Sequence, residues 1–152
     1  MDAFAIRNAV LAEKAALEGL QLRASLSNAG DREAILAHPD AIDLPDEQIA
    51  AGDVFVLELG GFIAGFAALE SRPDGDAELD GLFVEPEVRR RGVGRSLVEH
   101  CAQIALVKGS RAIYVIGNPH AEEFYLSCGF STIGHSETRF GPGLRMRRPL
   151  LP

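Results

Sequence analysis

The order of strands around one long helix constrains this fold more than any other feature of the sequence. The segment AELDGLFVEP predicts a strand that ends before Pro86, and RAIYVIG predicts a second, β-rich strand. Between them the apolar pattern predicts a helix that runs to ALVKG. Two strands joined through a helix need a crossover connection, which a hairpin turn cannot provide. We therefore expect a mixed α/β domain.

The rest of the chain supplies further strands and shorter helices. DVFVLEL and FIAGFAALE flank a Gly-Gly pair, which indicates a β-hairpin, and FSTIGHSETRF and LRMRRPL predict two final strands around GPG. The predicted order is one strand, helices, three antiparallel strands, a helix, a strand, a helix and two strands. Asn8 is predicted to cap the first helix, whose apolar stripe is predicted to be Leu11, Ala15, Leu22 and Leu26.

Length and composition set broad limits. The 152 residues suit a single domain spanning 1–152, and we expect a cytoplasmic protein because no secretory signal and no run of about 20 apolar residues is found. A formal net charge of −7 argues against a nucleic-acid partner, and we expect no membrane partner. Cys101 and Cys128 form no metal-binding or disulfide pattern, so both are predicted to be buried thiols. The scattered histidines predict no metal site.

The stretch VEPEVRRRGVGRSL concentrates arginines and glycines immediately before the long helix. The start of a helix leaves backbone N–H groups unpaired and carries a partial positive charge. Glycines there let an anion approach those groups closely, and arginines add charge and donors. The stretch therefore predicts a phosphate or pyrophosphate cradle, although a solvated turn with glycines placed only for geometry explains it too.

Three phosphate-binding motifs can be compared with these letters. A Walker A loop needs a lysine after its second glycine, where Arg95 stands, and a dinucleotide-binding fingerprint needs a third glycine, where Leu97 stands. The pattern [Q/R]-x-x-G-x-[G/A] is satisfied by Arg89, Gly92 and Gly94.

That pattern resembles the acyl-CoA pyrophosphate motif of the GCN5-related N-acetyltransferase (GNAT) superfamily. GNPHAEEFYLSCGF is similar to a second segment of the same family, and the element order from residue 4 to residue 149 agrees with its fold. The resemblance implies a central, mostly antiparallel sheet of about seven strands, flanked by helices, in which two central strands splay apart.

The resemblance also implies a set of residues that bind acetyl-CoA as a co-substrate. Backbone groups of Leu82, Phe83 and Val84 would bind the pantetheine arm. Asn118 would contact the same region, and it can also serve as a helix cap. The pyrophosphate would rest on N–H groups of the loop and first helical turn: Arg89, Arg90, Arg91, Gly92, Val93, Gly94, Arg95 and Ser96.

Two residues are candidates for proton transfer. Tyr125 matches the tyrosine that protonates the departing thiolate in many family members, while Phe124 beside it is expected to fill the core. Glu78 lies eleven residues before Arg89, as does the catalytic glutamate of the family's histone-acetylating members. Asp80, on the same face of the strand, or a water molecule are the alternatives for the base.

The implied function is direct transfer of an acetyl group to a primary amine in a ternary complex. The alternative is a non-catalytic acyl-CoA-binding sensor or regulatory domain on the same fold. The acceptor, a small molecule or a peptide amine, is not specified, and a homodimer is possible. The resemblance also implies that the loop TRFGPGL, between the last two strands, walls the acceptor groove. Its Gly-Pro-Gly is predicted to form a tight turn, with at least one of Arg139 and Phe140 pointing into the groove, and a solvated Arg139 is the alternative.

Overall fold

The structure is a computed structural model that describes residues 4–138 and 141–151. Within these residues, seven strands hydrogen-bond in the order β1-β2-β3-β4-β5-β7-β6, and helices lie between β1 and β2, between β4 and β5, and between β5 and β6. The predicted mixed α/β fold class, with its seven strands and the order of its elements, is confirmed. The elements are β1 Phe4–Asn8, α1 Lys14–Leu26, α2 Ala29–Ala37, α3 Asp46–Ala50, β2 Val54–Leu59, β3 Phe62–Ser71, β4 Ala77–Val84, α4 Val93–Val107, β5 Ala112–Gly117, α5 Glu122–Ser127, β6 Ser131–Thr138 and β7 Gly141–Pro149.

The Gly-Gly pair forms the predicted hairpin between β2 and β3. Gly60 and Gly61 have φ values of 58° and 91°, which is the left-handed backbone that a two-residue hairpin turn needs at both positions. β2 is antiparallel to β1 on one side and to β3 on the other.

The crossover through α4 gives the one parallel pairing among the registered strand pairs of the described residues. β4 and β5 are in parallel register from Ala77↔Ile113 to Leu79↔Val115, although β4 continues to Val84. β5 then pairs antiparallel with β7, and β7 with β6. The short parallel register is the feature expected of central strands that separate.

The described chain forms two compact units, each assembled from two stretches. The first contains the residues up to Ala68 together with Gly81–Leu97, and its apolar core includes Leu17, Leu20 and Phe66. The second contains Leu69–Asp80 and the residues from Val98 onward. Its fully or nearly fully buried side chains include Cys101, Ile113, Val115, Phe130 and Met146. Cys101 and Cys128 are both free and buried, as predicted.

The face that α1 buries is not the predicted one. Leu17, Leu20 and Ala24, spaced at three and four residues, are buried, whereas Leu11 and Leu22 are exposed. Both sides of this helix carry apolar residues, so the period of 3.6 fits either stripe and does not identify the buried one.

The start of the first helix was also predicted wrongly. Asn8 belongs to β1, and its side-chain amide donates to the carbonyl of Gly52 at 2.8 Å instead of capping a helix. The chain enters the helix through a 3-10 turn, where Glu13 accepts the amide of Val10. The Asn8 side chain, which the local sequence pattern predicts to cap the helix, therefore bonds instead to a residue 44 positions away in the sequence.

Candidate functional site

The turn between β4 and α4 has the backbone that an anion cradle needs. The chain leaves β4 at Val84, makes a 3-10 turn from Pro86 to Val88, and reaches α4 through Arg90 and Gly92. These two residues have φ values of 67° and 82°, and Arg90 is the one non-glycine residue with positive φ in the described chain. Left-handed residues turn successive N–H groups toward one side, where they form a concave set of donors.

Several N–H groups of this turn have no acceptor within the described chain. The first hydrogen bond of α4 runs from the amide of Ser96 to the carbonyl of Gly92, at 3.0 Å. The amides of Arg90, Gly92, Val93 and Gly94 precede that bond and donate to no described residue. They are the orphan donors of a helix start, and an oxyanion is the ligand that satisfies such donors.

Two of the amides predicted to bind phosphate have acceptors within the described chain. The amide of Arg89 donates to the carbonyl of Pro86 at 3.4 Å, and the amide of Ser96 is held inside the helix. A Cβ built on Gly92 would meet no atom within 4 Å, so this residue faces open space. A phosphate-sized group could therefore reach its amide.

The strand that precedes the cradle packs tightly on its neighbour. Leu82, Phe83 and Val84 are half-buried, and the Phe83 ring lies against Phe66 with centroids 5.3 Å apart. A Cβ at Gly65 of β3 would lie 2.8 Å from the carbonyl oxygen of Phe83 and 3.0 Å from a methyl of Val93. Gly65 thus permits the close packing that sets the positions of both the strand and the first turn of α4.

Asn118 follows β5 and acts as a helix cap. Its side-chain oxygen accepts the amide of His120 at 3.0 Å, and Pro119 occupies the first position of the short helical turn. The capping role considered from the sequence is therefore present. His120 is exposed.

Tyr125, in the following helix α5, is buried among apolar groups. Its ring makes edge contacts with Phe124 and Phe130, at centroid distances of 5.1 and 5.5 Å. A Cβ at Gly117 would lie 3.2 Å from Cε2 of the same ring. The expectation that Phe124 fills the core in preference to Tyr125 is wrong, because Tyr125 is buried whereas Phe124 is half-exposed. The end of β5 has room for the tyrosine ring only because residue 117 has no side chain.

The chemistry of the Tyr125 hydroxyl follows from this burial. Desolvation, with a smaller contribution from Cys128, raises its pKa above the usual range, because the phenolate would lose its hydration. The hydroxyl makes no hydrogen bond with any described residue. Tyr125 is therefore protonated at neutral pH and has a proton to donate.

Glu78 lies in a network of side chains on the second unit. Arg72 Nη1 donates to its Oε1 at 3.3 Å, and the Arg72 guanidinium carbon lies 3.8 Å from the centroid of the Tyr114 ring. Tyr114 is the registered partner of Glu78 on β5, and Arg147 Nε donates to the Tyr114 hydroxyl at 3.2 Å. Arg72 therefore fixes the direction in which the Glu78 carboxylate points.

A third carboxylate belongs to the same region. The pKa of Glu70, at the end of β3, is raised chiefly by the charge of Asp80, with contributions from burial and from Glu78. Glu78 and Asp80 alternate with the buried residues Ala77 and Leu79, as the strand period predicts.

The predicted acceptor loop is only partly described. Arg139 and Phe140 lie outside the described residues. The Gly-Pro-Gly sequence does not form the predicted turn, since Gly141, Pro142 and Gly143 are in β7 and in register with β6. The prediction failed because these three residues pair with β6 and so belong to the strand instead of to the turn.

No cluster of metal-ligating side chains occurs in residues 4–138 and 141–151. Nor does any described helix have the length and apolar character to span a bilayer.

Sequence reasoning missed three residues that shape these regions. Gly65 and Gly117 each leave space for a neighbour, and Arg72 fixes Glu78. A glycine inside a strand often marks a close approach, so Gly65 in FIAGFAALE could have been flagged. No sequence pattern indicates that Arg72 pairs with Glu78.

Comparisons with known proteins agree with this geometry. A model of the acetyltransferase (GNAT) family matches residues 23–130. A curated relative, the peptidyl-lysine N-acetyltransferase YjaB of Salmonella typhimurium, is 39% identical over 59 residues, and the match spans 39% of this chain and 39% of the relative's own length.

Solved structures share the fold. A GCN5-related N-acetyltransferase from Rhodopseudomonas palustris superposes with a TM-score of 0.78 at 20% identity, covering 96% of this chain and 95% of the other. The PaiA N-acetyltransferase from Thermoplasma acidophilum, in complex with coenzyme A, gives 0.76 at 17% identity, covering 97% and 99%. At these identities the superpositions show the fold alone, whereas the family model covers more than half of the sequence. The chain belongs to the acetyltransferase (GNAT) family.

Proposed function

We propose that the chain is an acetyl-CoA-dependent N-acetyltransferase that acts on a primary amine. The observation that carries the proposal is the set of unpaired amides at Arg90, Gly92, Val93 and Gly94, at the start of α4 in a member of this family. The names of its relatives and the coenzyme A complex of PaiA support the same activity.

The proposed reaction is a direct transfer in a ternary complex. The amine nitrogen forms a bond to the thioester carbonyl carbon while the carbon–sulfur bond breaks, the amine loses a proton and the departing thiolate gains one. Holding both reactants together supplies much of the rate. The residues of this chain bind the phosphates, orient the acyl donor and move the protons.

Binding is assigned to the backbone. The cradle amides would donate to the pyrophosphate of acetyl-CoA, reinforced by the partial positive charge of α4 and by the exposed arginine Arg90. Leu82, Phe83 and Val84 follow the last registered pair of β4 with β5, and their backbone groups would bind the pantetheine arm. Asn118 would contact the same arm while its oxygen caps the following turn.

Proton transfer is assigned to Tyr125 and Glu78. Tyr125 would protonate the thiolate, and the burial of its side chain, which keeps the hydroxyl protonated at neutral pH, supports this role. Glu78 would take the amine proton directly or through water, with its carboxylate held by Arg72. Asp80 is the alternative base on the same face of β4.

The proposal also covers the class of acceptor amine, the extent of the domain, its location in the cell and its need for a metal ion. Because the Salmonella relative is named as a peptidyl-lysine acetyltransferase, lysine side chains in peptides are the first acceptors to test, followed by small amines. The chain would act as a single domain spanning 1–152, in the cytoplasm, without a metal ion.

Calorimetry and a thiol-release assay test the proposal. Acetyl-CoA should bind the wild type, and Gly94→Glu should abolish binding, because a carboxylate would occupy the place of the anion. Gly134→Glu, which adds the same charge on β6, is the matched control and should bind normally. A panel of lysine peptides and small amines should then reveal an acceptor that releases free CoA. Binding without turnover on any amine would favour the acyl-CoA sensor, and no binding by the wild type would refute both functions.

A further inference from the structure

Arg89 has a side chain that is directed to helix α1. Its Nη2 donates to the side-chain oxygens of Ser27 and Asn28, the latter at 3.3 Å, and lies 3.4 Å from the carbonyl oxygen of Ala24. These acceptors form the C-terminal end of α1, where helical carbonyls lack intrahelical partners and a positive charge is favourable. Arg89 thus caps a helix that lies more than 60 residues earlier in the chain.

An ion pair also joins the same two segments. Arg23 donates through Nε and Nη2 to both carboxylate oxygens of Glu85, at 2.9 and 3.2 Å. Glu85 is buried, and its amide donates to the carbonyl of Ala64. Glu85 and Arg89 stand on either side of the 3-10 turn, so the entrance to the cradle is attached to α1 at two points, one helical turn apart.

The attachment at Arg89 bears directly on the cradle. The peptide that follows Arg89 carries the amide of Arg90, the first of the unpaired donors. Arg90 has a left-handed backbone, which costs a non-glycine residue on the order of 1 kcal/mol and persists only where its surroundings enforce it. Fixing the Arg89 side chain restricts the rotation of that peptide and helps to enforce this conformation.

We infer that Arg89 is a positioning residue: it orients the cradle amides by capping α1, and does not itself contact the bound phosphates. This inference rests on the proposed binding of acetyl-CoA at the cradle and departs from the motif-based expectation that the arginine side chain supplies charge to the anion. If the cap on α1 favours binding at the cradle, then by thermodynamic linkage a ligand bound at the cradle must stabilise the capped end of α1 to the same extent.

The test uses coenzyme A as the probe and compares four variants of the full chain by calorimetry, the fourth being a control described below. Arg89→Ala removes the cap from the loop side, and Ser27→Ala removes one acceptor from the helix side. Both variants should bind coenzyme A more weakly than the wild type. The loss for Arg89→Ala should be about fivefold, the size expected for losing a small set of hydrogen bonds. Arg89→Lys, which keeps a donor, should restore part of the affinity.

The salt dependence of coenzyme A affinity distinguishes a positioning role of Arg89 from a direct contact between its side chain and the phosphates. Arg90→Ala is the charge-matched control, since Arg90 is exposed and its side chain makes no hydrogen bond or ion pair with any described residue. Losing a direct contact with the anion makes affinity less sensitive to salt, because screening acts on exposed charge pairs. Arg89→Ala should retain most of the wild-type salt dependence.

Amide exchange provides the second readout. The amides of Ser27 and Asn28 donate to the carbonyls of Arg23 and Ser25 at the end of α1. Coenzyme A should slow their exchange in the wild type and in Arg90→Ala, and should fail to do so in Arg89→Ala.

Each result bears on the inference. It is overturned if Ser27→Ala binds coenzyme A as tightly as the wild type, or if Arg89→Ala reduces the salt dependence while the exchange at Ser27 and Asn28 stays coupled to the ligand. If the wild type binds no coenzyme A, the proposed function fails first, and the inference fails with it.

Discussion

Gly117 and Tyr125 are in contact: a Cβ on Gly117 would stand 3.2 Å from Cε2 and 3.3 Å from Cδ2 of the tyrosine ring. Such a distance is tighter than ordinary van der Waals contact, so the ring occupies space that only glycine leaves open. The residue that ends β5 therefore determines where the proposed acid of the reaction lies.

Gly117→Ala should displace the Tyr125 ring and slow turnover by about tenfold, because small misplacements of a catalytic group are costly. Acetyl-CoA affinity should change by less than about twofold, since the cradle is made by other residues. Steady-state kinetics and calorimetry measure the two effects. Gly134→Ala, whose new Cβ would meet its nearest atom at 3.8 Å, is the control and should behave as the wild type. Equal turnover in both variants would contradict the positioning of Tyr125 by Gly117.

Tyr125→Phe should lower kcat by about 100-fold, an ordinary value for one general acid. Because the ring and its contacts with Phe124 and Phe130 remain, unfolding free energy and acetyl-CoA affinity should change little. The comparison requires conditions in which chemistry limits the rate. An unaltered kcat under those conditions would remove Tyr125 from the mechanism.

Glu78→Gln should reduce kcat/KM most at low pH. The amide cannot accept a proton, whereas a larger fraction of the acceptor amine is already deprotonated as pH rises. The defect should therefore shrink toward high pH in a pH–rate profile. Glu137→Gln, an exposed carboxylate of β6, should show no defect at any pH. A defect of constant size would indicate that Glu78 acts by positioning, or that Asp80 is the base.

Gly65→Ala should weaken acetyl-CoA binding by about tenfold and lower the free energy of unfolding by ~1–3 kcal/mol, as overpacking does in well-packed interiors. The new methyl would lie 2.8 Å from the Phe83 carbonyl and 3.0 Å from Val93, so the strand and the first turn of α4 must shift. Calorimetry and urea unfolding provide the two measurements. Full affinity in the folded variant would show that these shifts do not reach the cofactor site.

Burial raises the pKa of the Cys101 thiol to about 12, and this predicts a loss of stability in alkali. The unfolded thiol loses its proton near pH 8.5, whereas the folded one retains it, so above pH 8.5 the unfolded state binds fewer protons and stability falls. Between pH 8.5 and 10 the slope from this group approaches about 1.4 kcal/mol per pH unit. Urea unfolding of the wild type and of Cys101→Ala measures the difference in slope. Parallel pH dependences in the two proteins would contradict the prediction.

Much of the fold follows from local sequence signals. The Gly-Gly hairpin, the strand that ends before Pro86 and the long helix that follows the arginines and glycines were all predicted, because each boundary depends on glycine or proline. The buried side of α1 was not, since both of its sides are apolar and the choice depends on the sheet that packs against it.

For the candidate site too, the local features were predictable from the sequence and the long-range contacts were not. The motif identified the loop that holds the unpaired amides, since their exposure follows from helix geometry alone. The partners of Arg89 and Arg72, and the space left by Gly65 and Gly117, depend on residues distant in sequence. No local pattern contains that information.

The division of the chain into two interleaved units has a consequence for its synthesis on the ribosome. The first unit includes the chain up to Ala68 but is completed only by Gly81–Leu97. At about 5–20 residues per second, those last residues follow Ala68 after a delay on the order of seconds. For that interval the apolar side chains of β2 and β3 that will pack with Phe83 have no partner from β4. During that interval these side chains are available for premature association and for binding by chaperones.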